Sequence, residues 1–441
     1  MRQLRLFQKA DNSILLEAGC AERKRIEEKF APLIREELHI GSLVSYVGNR
    51  TVPFLRLYRY KEAFSFRLVG EFIQRFKLTQ KDYIFDPFCG MGTTLFASLQ
   101  RGIPSIGIDK LPIAAFVAQT LPLFSAIQPH ALKKTFEALQ TKVANIEPVD
   151  VAEDVAIMKV AFSPEILLEL RRWKSSIDTL DSPLRDVFLL LFFSILEPCS
   201  YTSKDGQFLR LVPDKHIVPP AEMLRRQISE AEKDISSLDS LWHDKKTQIP
   251  RVQLADARNL QNVHFEKSPT ALITSPPYAN RYDYTRSYSL ELCFHFVRNF
   301  EELKALRFGI LRSHIESKVD ANDHPPHPAV AEVVDLLQER DLNNPRIPDM
   351  LTAYFVDMKK VISEWARVLA PGAKVAMVVD NVRFDGELVP IDLILSEMAE
   401  EVGFIVKQVI VARYKGNSSQ QMGKYGRVPV RESIVVWQKV V

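Results

Sequence analysis

Residues 83–109, YIFDPFCGMGTTLFASLQRGIPSIGID, are the stretch whose reading decides the fold. The apolar run at 83–85 predicts a strand, 86–92 a glycine turn, 94–101 a helix and 105–108 a second strand, together a βαβ opening. Thr93 is read as the helix N-cap and Gly102 as the residue just past its end, so start and stop signals agree with the hydrophobic pattern. Downstream, 251–254 and 271–274 are strand-like, and a long helical pattern at 349–369 runs through Pro371-Gly372 into a buried-type strand at 374–379. Two β-rich runs, 404–414 and 432–438, suit an antiparallel pair at a sheet edge. Strands alternating with helices predict an α/β fold: a doubly wound, mainly parallel Rossmann-like sheet with an antiparallel edge hairpin.

The rest of the chain is organised around that sheet. At 441 residues it is too long for one module of roughly 100–200 residues. Residues 121–250 interrupt the α/β rhythm with helical patterns at 164–176, 183–196 and 221–242, and read as an inserted helical subdomain. Residues 1–50 read as a helical extension, leaving 51–120 and 251–441 for the α/β domain. The most apolar run, 187–196, is about half the length that spans a bilayer and reads as a buried helix. With 46% hydrophobic and 26% charged residues the chain is a folded globular protein. Its four cysteines have neither disulfide-framework nor zinc-ligand spacing, which points to a reducing compartment, the cytoplasm. His314, His324 and His327 read as surface histidines of a Pro-rich loop, so no metal is expected.

Two short motifs carry the chemistry. The first, Asp86-Pro87-Phe88-Cys89-Gly90-Met91-Gly92-Thr93-Thr94, lies at a strand end and opens a helix, where ligands of such sheets bind. It lacks the third glycine of the dinucleotide fingerprint, leaving room for a smaller nucleoside ligand. Asp109, at the end of the next strand, is placed to accept hydrogen bonds from ribose hydroxyls. Alone, a Gly-x-Gly of this kind is more commonly an ordinary tight turn. The second motif is Thr274-Ser275-Pro276-Pro277-Tyr278. Two prolines end a strand and stiffen the backbone, so Ser275 and the Pro276 carbonyl become positioned acceptors beside an aromatic face. That combination suits a planar ring bearing an exocyclic amine, although a Pro-Pro loop with a surface tyrosine is the commoner origin of such a pentapeptide.

Together the two motifs resemble those of the S-adenosylmethionine-dependent amino-methyltransferases, which methylate exocyclic amines of nucleic-acid bases. The resemblance extends to QLADARNL at Asp256 and to VLAPGAKVAMVVDN, and covers roughly 60–65% of the chain. It implies S-adenosylmethionine as cofactor, with Asp86, Phe88, Gly90, Gly92 and Thr93 around its methionine and sulfonium part, Asp109 at the ribose, and Asp256 with Ala257 at the adenine edge. It implies that Ser275, Pro276, Pro277 and Tyr278 are catalytic and hold a base flipped out of double-stranded DNA. Serine before Pro-Pro is typical of the N4-cytosine branch, and Asp or Asn of the N6-adenine branch. A site-specific cytosine-N4 methyltransferase with a cognate restriction endonuclease is therefore the leading reading. Adenine-N6 or RNA guanine-N2 methylation and a non-catalytic binding protein are the alternatives. The 182 residues between Gly92 and Ser275 make a long gap for the family. The insertion and residues 300–348 compete for target recognition.

Net charge is only +3, yet basic residues cluster. Between Arg50 and Lys81 there are eight Lys or Arg and two Glu, and between Lys407 and Arg431 six Lys or Arg and no acid. Arg281, Tyr282 and Arg286, just after the second motif, mix aromatic and basic side chains suited to stacking and phosphate contact. Lys415, Lys424 and Arg427 fall in a polar stretch between the last two strands, read equally as a DNA-contacting loop or a solvated one. No membrane contact is expected.

Overall fold

The computed structural model describes residues 20–204, 208–237, 249–416 and 428–440. Its strands are β1 (Ile34–Glu36), β2 (Ile84–Asp86), β3 (Ser105–Asp109), β4 (Thr202–Ser203), β5 (Arg210–Leu211), β6 (Arg251–Leu254), β7 (Ala271–Thr274), β8 (Lys374–Asp380), β9 (Val382–Phe384), β10 (Glu387–Val389), β11 (Phe404–Lys415) and β12 (Val430–Lys439). Eight of them form one sheet in the order β1-β11-β12-β8-β7-β2-β3-β6. Neighbours pair parallel except at β12, which runs antiparallel to both β11 and β8. The doubly wound sheet expected from the sequence is therefore present, and so is the antiparallel pair.

That pair is not the edge, however. β1 adds outside β11, with Ile34 opposite Val409, so the N-terminal segment read as wholly helical supplies a strand after helix Ala21–Phe30. Three residues are too few for a period of two to be told from a helix end.

Along β8, Val375, Met377 and Val379 face one side of the sheet while Ala376 and Val378 face the other. Both faces are covered, which is why the strand reads as an unbroken apolar run. Helices Pro328–Gln338, Ile347–Val368 and Ile391–Glu401 cover the first face, where Trp365 and Trp437 approach to 6.4 Å. Helix Phe66–Phe76 covers the second.

After β2 the helix runs Thr93–Leu99, with Gly92 rather than Thr93 in the N-cap position. Gly92 has φ +86°, and a Cβ there would sit 3.0 Å from that of Ala118, so the turn needs glycine just where the cap was expected. Gly102, with φ +63°, does end this helix: its N–H bonds Leu99 O and that of Ile103 bonds Ser98 O, both at 3.0 Å, a Schellman arrangement.

Between β3 and β6, helices Ala131–Val143, Pro164–Asp178, Leu184–Leu196 and Pro220–Ser236 pack together, with Phe136 stacked on Trp173 at 5.3 Å. Val187 to Phe193 are all buried, as expected of an interior helix. Their apolar core does not stop near 121 or 250. It continues through Phe54, Tyr58 and Tyr60, through Met91 and Phe96 beside the glycine turn, and through Tyr288 to Phe294. The short β4–β5 hairpin, not foreseen from sequence, brings Lys204 onto Glu291 in a buried ion pair, to which the Tyr58 hydroxyl adds a hydrogen bond of 3.0 Å. Among the described residues no helix is long and apolar enough to cross a membrane.

Two of the histidines read as surface groups are buried. His327 caps helix Pro328–Gln338 by accepting the Ala329 N–H and meets Glu397 at 2.8 Å, while His314 packs against the Arg307 carbonyl.

Arg431 of β12 joins three layers: it pairs with Glu27 of the first helix at 2.7 Å and with fully buried Asp392 at 2.7 Å, which also accepts from Ser433 Oγ at 2.7 Å. Removing one partner of a buried pair strands the other's charge. Asp392→Ala is expected to lower unfolding free energy by about 3 kcal/mol, read by urea unfolding followed by tryptophan fluorescence. A loss within experimental error would mean that Glu27 alone suffices for Arg431.

Candidate active site

The chain moves from β2 outward to β3 and β6, then returns to β7 on the other side of β2 and continues to β8. The carboxyl ends of β2 and β7 therefore flank the point where strand order reverses, the place where such sheets bind ligands. There the two sequence motifs meet. Thr274 Oγ1 donates to Asp86 Oδ1 at 2.6 Å, and the same carboxylate oxygen accepts the Phe88 N–H at 3.1 Å. Burial pushes the Asp86 carboxyl up to about 6, partly offset by these bonds.

The glycine turn is held by the next strand. Asp109 accepts the Gly90 N–H at 2.9 Å through one oxygen and the Leu111 N–H at 2.8 Å through the other. Burial pushes its carboxyl up to about 6 as well, against those two bonds. Gly90 has φ +51°, and a Cβ on it would meet the Tyr60 ring at 3.0 Å, so the loop can lie this close to Tyr60 only as glycine. Cys89 is buried, and that burial holds its thiol well above the usual range, away from nucleophilic chemistry.

These loops wall a cleft of about 840 Å³, the solvent at its open mouth included. Of the residues expected to hold a cofactor, Phe88, Gly90, Thr93, Asp109, Asp256 and Ala257 line it, while buried Asp86 and Gly92 support the turn from behind. Asp256 is bound by Arg258, which donates from its backbone N–H and its guanidinium at 2.7–3.0 Å. Burial would raise that carboxyl, but Arg258 holds it below the usual carboxylate range. Of the second motif, Ser275 and Pro277 line the same cleft, and Pro276 and Tyr278 lie beside it.

Sequence reasoning missed one wall. Tyr60, Glu62, Ala63 and Phe64 line the cleft just before Ser65, whose side chain caps helix Phe66–Phe76. Glu62 accepts the Tyr288 hydroxyl at 2.5 Å through one oxygen, and its other oxygen is buried with no partner among the described residues. Thr93 Oγ1 is likewise buried without a partner among them. The signal available was an acid, Glu62, in a basic stretch three residues ahead of a Ser cap. Tyr284, from the aromatic and basic segment just after the second motif, and Leu311 also line the cleft.

Ser275 Oγ donates to the Val378 carbonyl of β8 at 3.2 Å, which leaves its lone pairs available as acceptors. The Tyr278 hydroxyl lies 3.4 Å from Ser275 Oγ and 3.2 Å from Glu432 Oε1.

The side chains expected to meet nucleic acid have partners within the protein, Tyr282 buried and Arg286 at the surface. Tyr282 is buried, edge-on to Tyr284 at 5.0 Å and beneath Lys61, and offers no open stacking face. Arg286 pairs with Glu316 and, at 3.4 Å, with Asp283, which caps its short helix. Lys415 sits between Asp380 at 3.1 Å and Glu432 at 2.7 Å. Arg281 is half-buried with φ +72°, its guanidinium 5.9 Å from the Phe384 ring centre. Lys424 and Arg427 lie outside the described residues.

No family model matches the chain. Curated relatives do. The type II methyltransferase M.BsoBI of Geobacillus stearothermophilus is 31% identical over 475 residues, covering 95% of this chain and 92% of that protein. M.AvaI of Nostoc sp. is 35% identical over 453 residues, covering 94% and 93%. M.MvaI of Kocuria varians is 22% identical over 362 residues, covering 75% and 78%. With identity above 30% along nearly the whole of two such relatives, the protein belongs to the S-adenosylmethionine-dependent type II DNA methyltransferases.

Proposed function

We propose that the protein methylates the exocyclic N4 amine of a cytosine flipped out of duplex DNA, as the protective partner of a cognate restriction endonuclease in the cytoplasm. Its four buried free cysteines suit that compartment. The observation that carries the chemistry is the Ser275 hydroxyl: both acceptors within reach of its proton, Val378 O at 3.2 Å and the Tyr278 hydroxyl at 3.4 Å, belong to the protein, which leaves its lone pairs for a donor in the cleft.

The cleft fits the cofactor. Asp109 presents its carboxyl group to a ligand that is cationic at sulfur and rich in ribose hydroxyls, with buried Asp86 behind the turn, and the Glu62 and Thr93 oxygens, without partners among the described residues, are open to polar groups of the ligand. Asp86, Phe88, Gly90 and Gly92 would hold the methionine and sulfonium part, Asp109 the ribose, and Asp256 with Ala257 the adenine edge. When bound, S-adenosylmethionine supplies an activated methyl group.

The protein's part is to prepare the amine. A nitrogen conjugated to a pyrimidine ring is a poor nucleophile because its lone pair is delocalised. Ser275 Oγ and the Pro276 carbonyl accept its two N–H bonds, which favours a pyramidal nitrogen with its lone pair aimed along the line of displacement. The Pro-Pro backbone keeps those acceptors fixed, so the gain comes from positioning and electrostatics without a covalent adduct. Serine at 275, in place of Asp or Asn, favours cytosine over adenine.

Labelled S-adenosylmethionine, duplex DNA and digestion to nucleosides test this directly. N4-methyldeoxycytidine is expected; N6-methyldeoxyadenosine would overturn the cytosine assignment. In the same assay Ser275→Ala is expected to lower turnover about 100-fold while cofactor affinity stays within twofold. Full activity in that variant removes Ser275 as the amine acceptor.

Cofactor affinity should also depend on pH. Asp86 and Asp109 titrate near 6, so both are anionic above that pH and neutral below it. Neutral carboxyls attract a sulfonium less and accept weaker hydrogen bonds. The cofactor Kd is therefore expected to rise as pH falls from 7.5 to 5.5, by about tenfold for each proton taken up per pH unit below the pKa. Calorimetric titration reads this, and a flat Kd across the interval would show that neither carboxylate supports the ligand.

A further inference from the structure

We propose that Glu432 is a positioning residue for the target base, acting through the hydroxyl of Tyr278. The inference rests on the reading above, in which Ser275 to Tyr278 hold that base.

The loop that carries Ser275 and Tyr278 follows β7, and both hydroxyls are anchored on strands beyond it. Ser275 Oγ donates to Val378 O of β8, and the Tyr278 hydroxyl donates to Glu432 Oε1 of β12. Glu432 lies directly across the ladder from Asp380, and it is 1% exposed. A carboxylate this deep needs countercharge. It has two: Lys415 Nζ meets Oε1 at 2.7 Å, and Arg413 Nε meets Oε2. Lys415 also reaches Asp380 at 3.1 Å.

An irregularity in β11 produces this arrangement. Val411 pairs with Ser433, but Arg413 pairs with Glu432, so Ala412 is the extra residue of a bulge. In an unbroken ladder Ala412 would stand opposite Glu432. The bulge re-aims Arg413 there, and Lys415, two residues on, falls on the same side.

Lys415 then lies 5.6 Å from the centre of the Tyr278 ring, on one face. The ring is thus fixed at its hydroxyl by Glu432 and backed on one face by an ammonium group, and the proposal places the planar base on its other face. A tyrosine held only by its own backbone would rotate about its side-chain torsions, and ordering it would cost rotamer entropy when the base arrives. Glu432 removes that cost in advance. A purely structural ion cluster would need Arg413 and Lys415 but not the tyrosine hydroxyl.

The test is a double-mutant cycle on full-length protein, read by single-turnover methyl transfer to duplex DNA, with cofactor Kd and the fluorescence of a 2-aminopurine placed at the target position as further readouts. Glu432→Gln and Tyr278→Phe are each expected to slow transfer about tenfold, leave cofactor Kd unchanged and reduce the flipping signal. The double variant is expected to be no slower than either single one. Additive losses, or a Glu432→Gln protein as fast as wild type, would overturn the proposal. If Glu432→Gln does not fold, Tyr278→Phe keeps the whole charge cluster and decides the matter alone: unimpaired transfer overturns the role of the hydroxyl. The parent reading fails separately, when wild-type protein methylates no DNA or Ser275→Ala is fully active.

Discussion

The bond from Thr274 Oγ1 to Asp86 Oδ1 joins the carboxyl ends of two adjacent strands that are 188 residues apart in sequence. Everything at the site is arranged about it. On one side of it the chain makes the glycine turn; on the other it makes the Pro-Pro turn. Because the two ends share a hydrogen bond between buried groups, their loops cannot drift apart without stranding a buried carboxyl. That constraint brings the cleft and the Ser275 hydroxyl together. Asp86, which does not line the cleft itself, belongs to the scaffold as much as to the cofactor.

The parts of this arrangement that were legible in the sequence are the local ones. The strand, glycine turn, helix and strand over 83–109 declare themselves through periodicity and through glycines that only a left-handed backbone needs. The one-residue error at the N-cap has the same origin: Thr93 looks like a cap, but the turn demands glycine at 92, and a cap is a statement about φ before it is one about side-chain oxygen. The Ser-Pro-Pro-Tyr turn was legible because proline fixes its own backbone.

What was not legible is what depends on distant partners. Tyr282, Arg286 and Lys415 have the composition of a nucleic-acid surface, and nothing within ten residues says that Lys415 faces Asp380 and Glu432. His327 sits among prolines like a loop residue, yet it caps a helix and bonds Glu397. The wall at 60–64, Tyr-Lys-Glu-Ala-Phe, matches no motif, and only the fold turns it toward the glycine loop. The β1 edge strand is three residues long, too short for any pattern. The insertion was recognised by its helices, but its sharing of one apolar interior with the cleft walls was not, since a contact between Phe54 and Phe124 leaves no trace in either local segment.

The position of β12 has a consequence for the life of the protein as it is made. Tyr278 precedes its hydroxyl's acceptor by 154 residues, and the strand that bears Glu432 is threaded between β11 and β8, both of them translated earlier. The residues that line the cleft all precede β8, whereas β8 and β11 are joined only once β12 has been made. Among the strands that build the site, the last to be made is therefore the one that anchors the tyrosine hydroxyl.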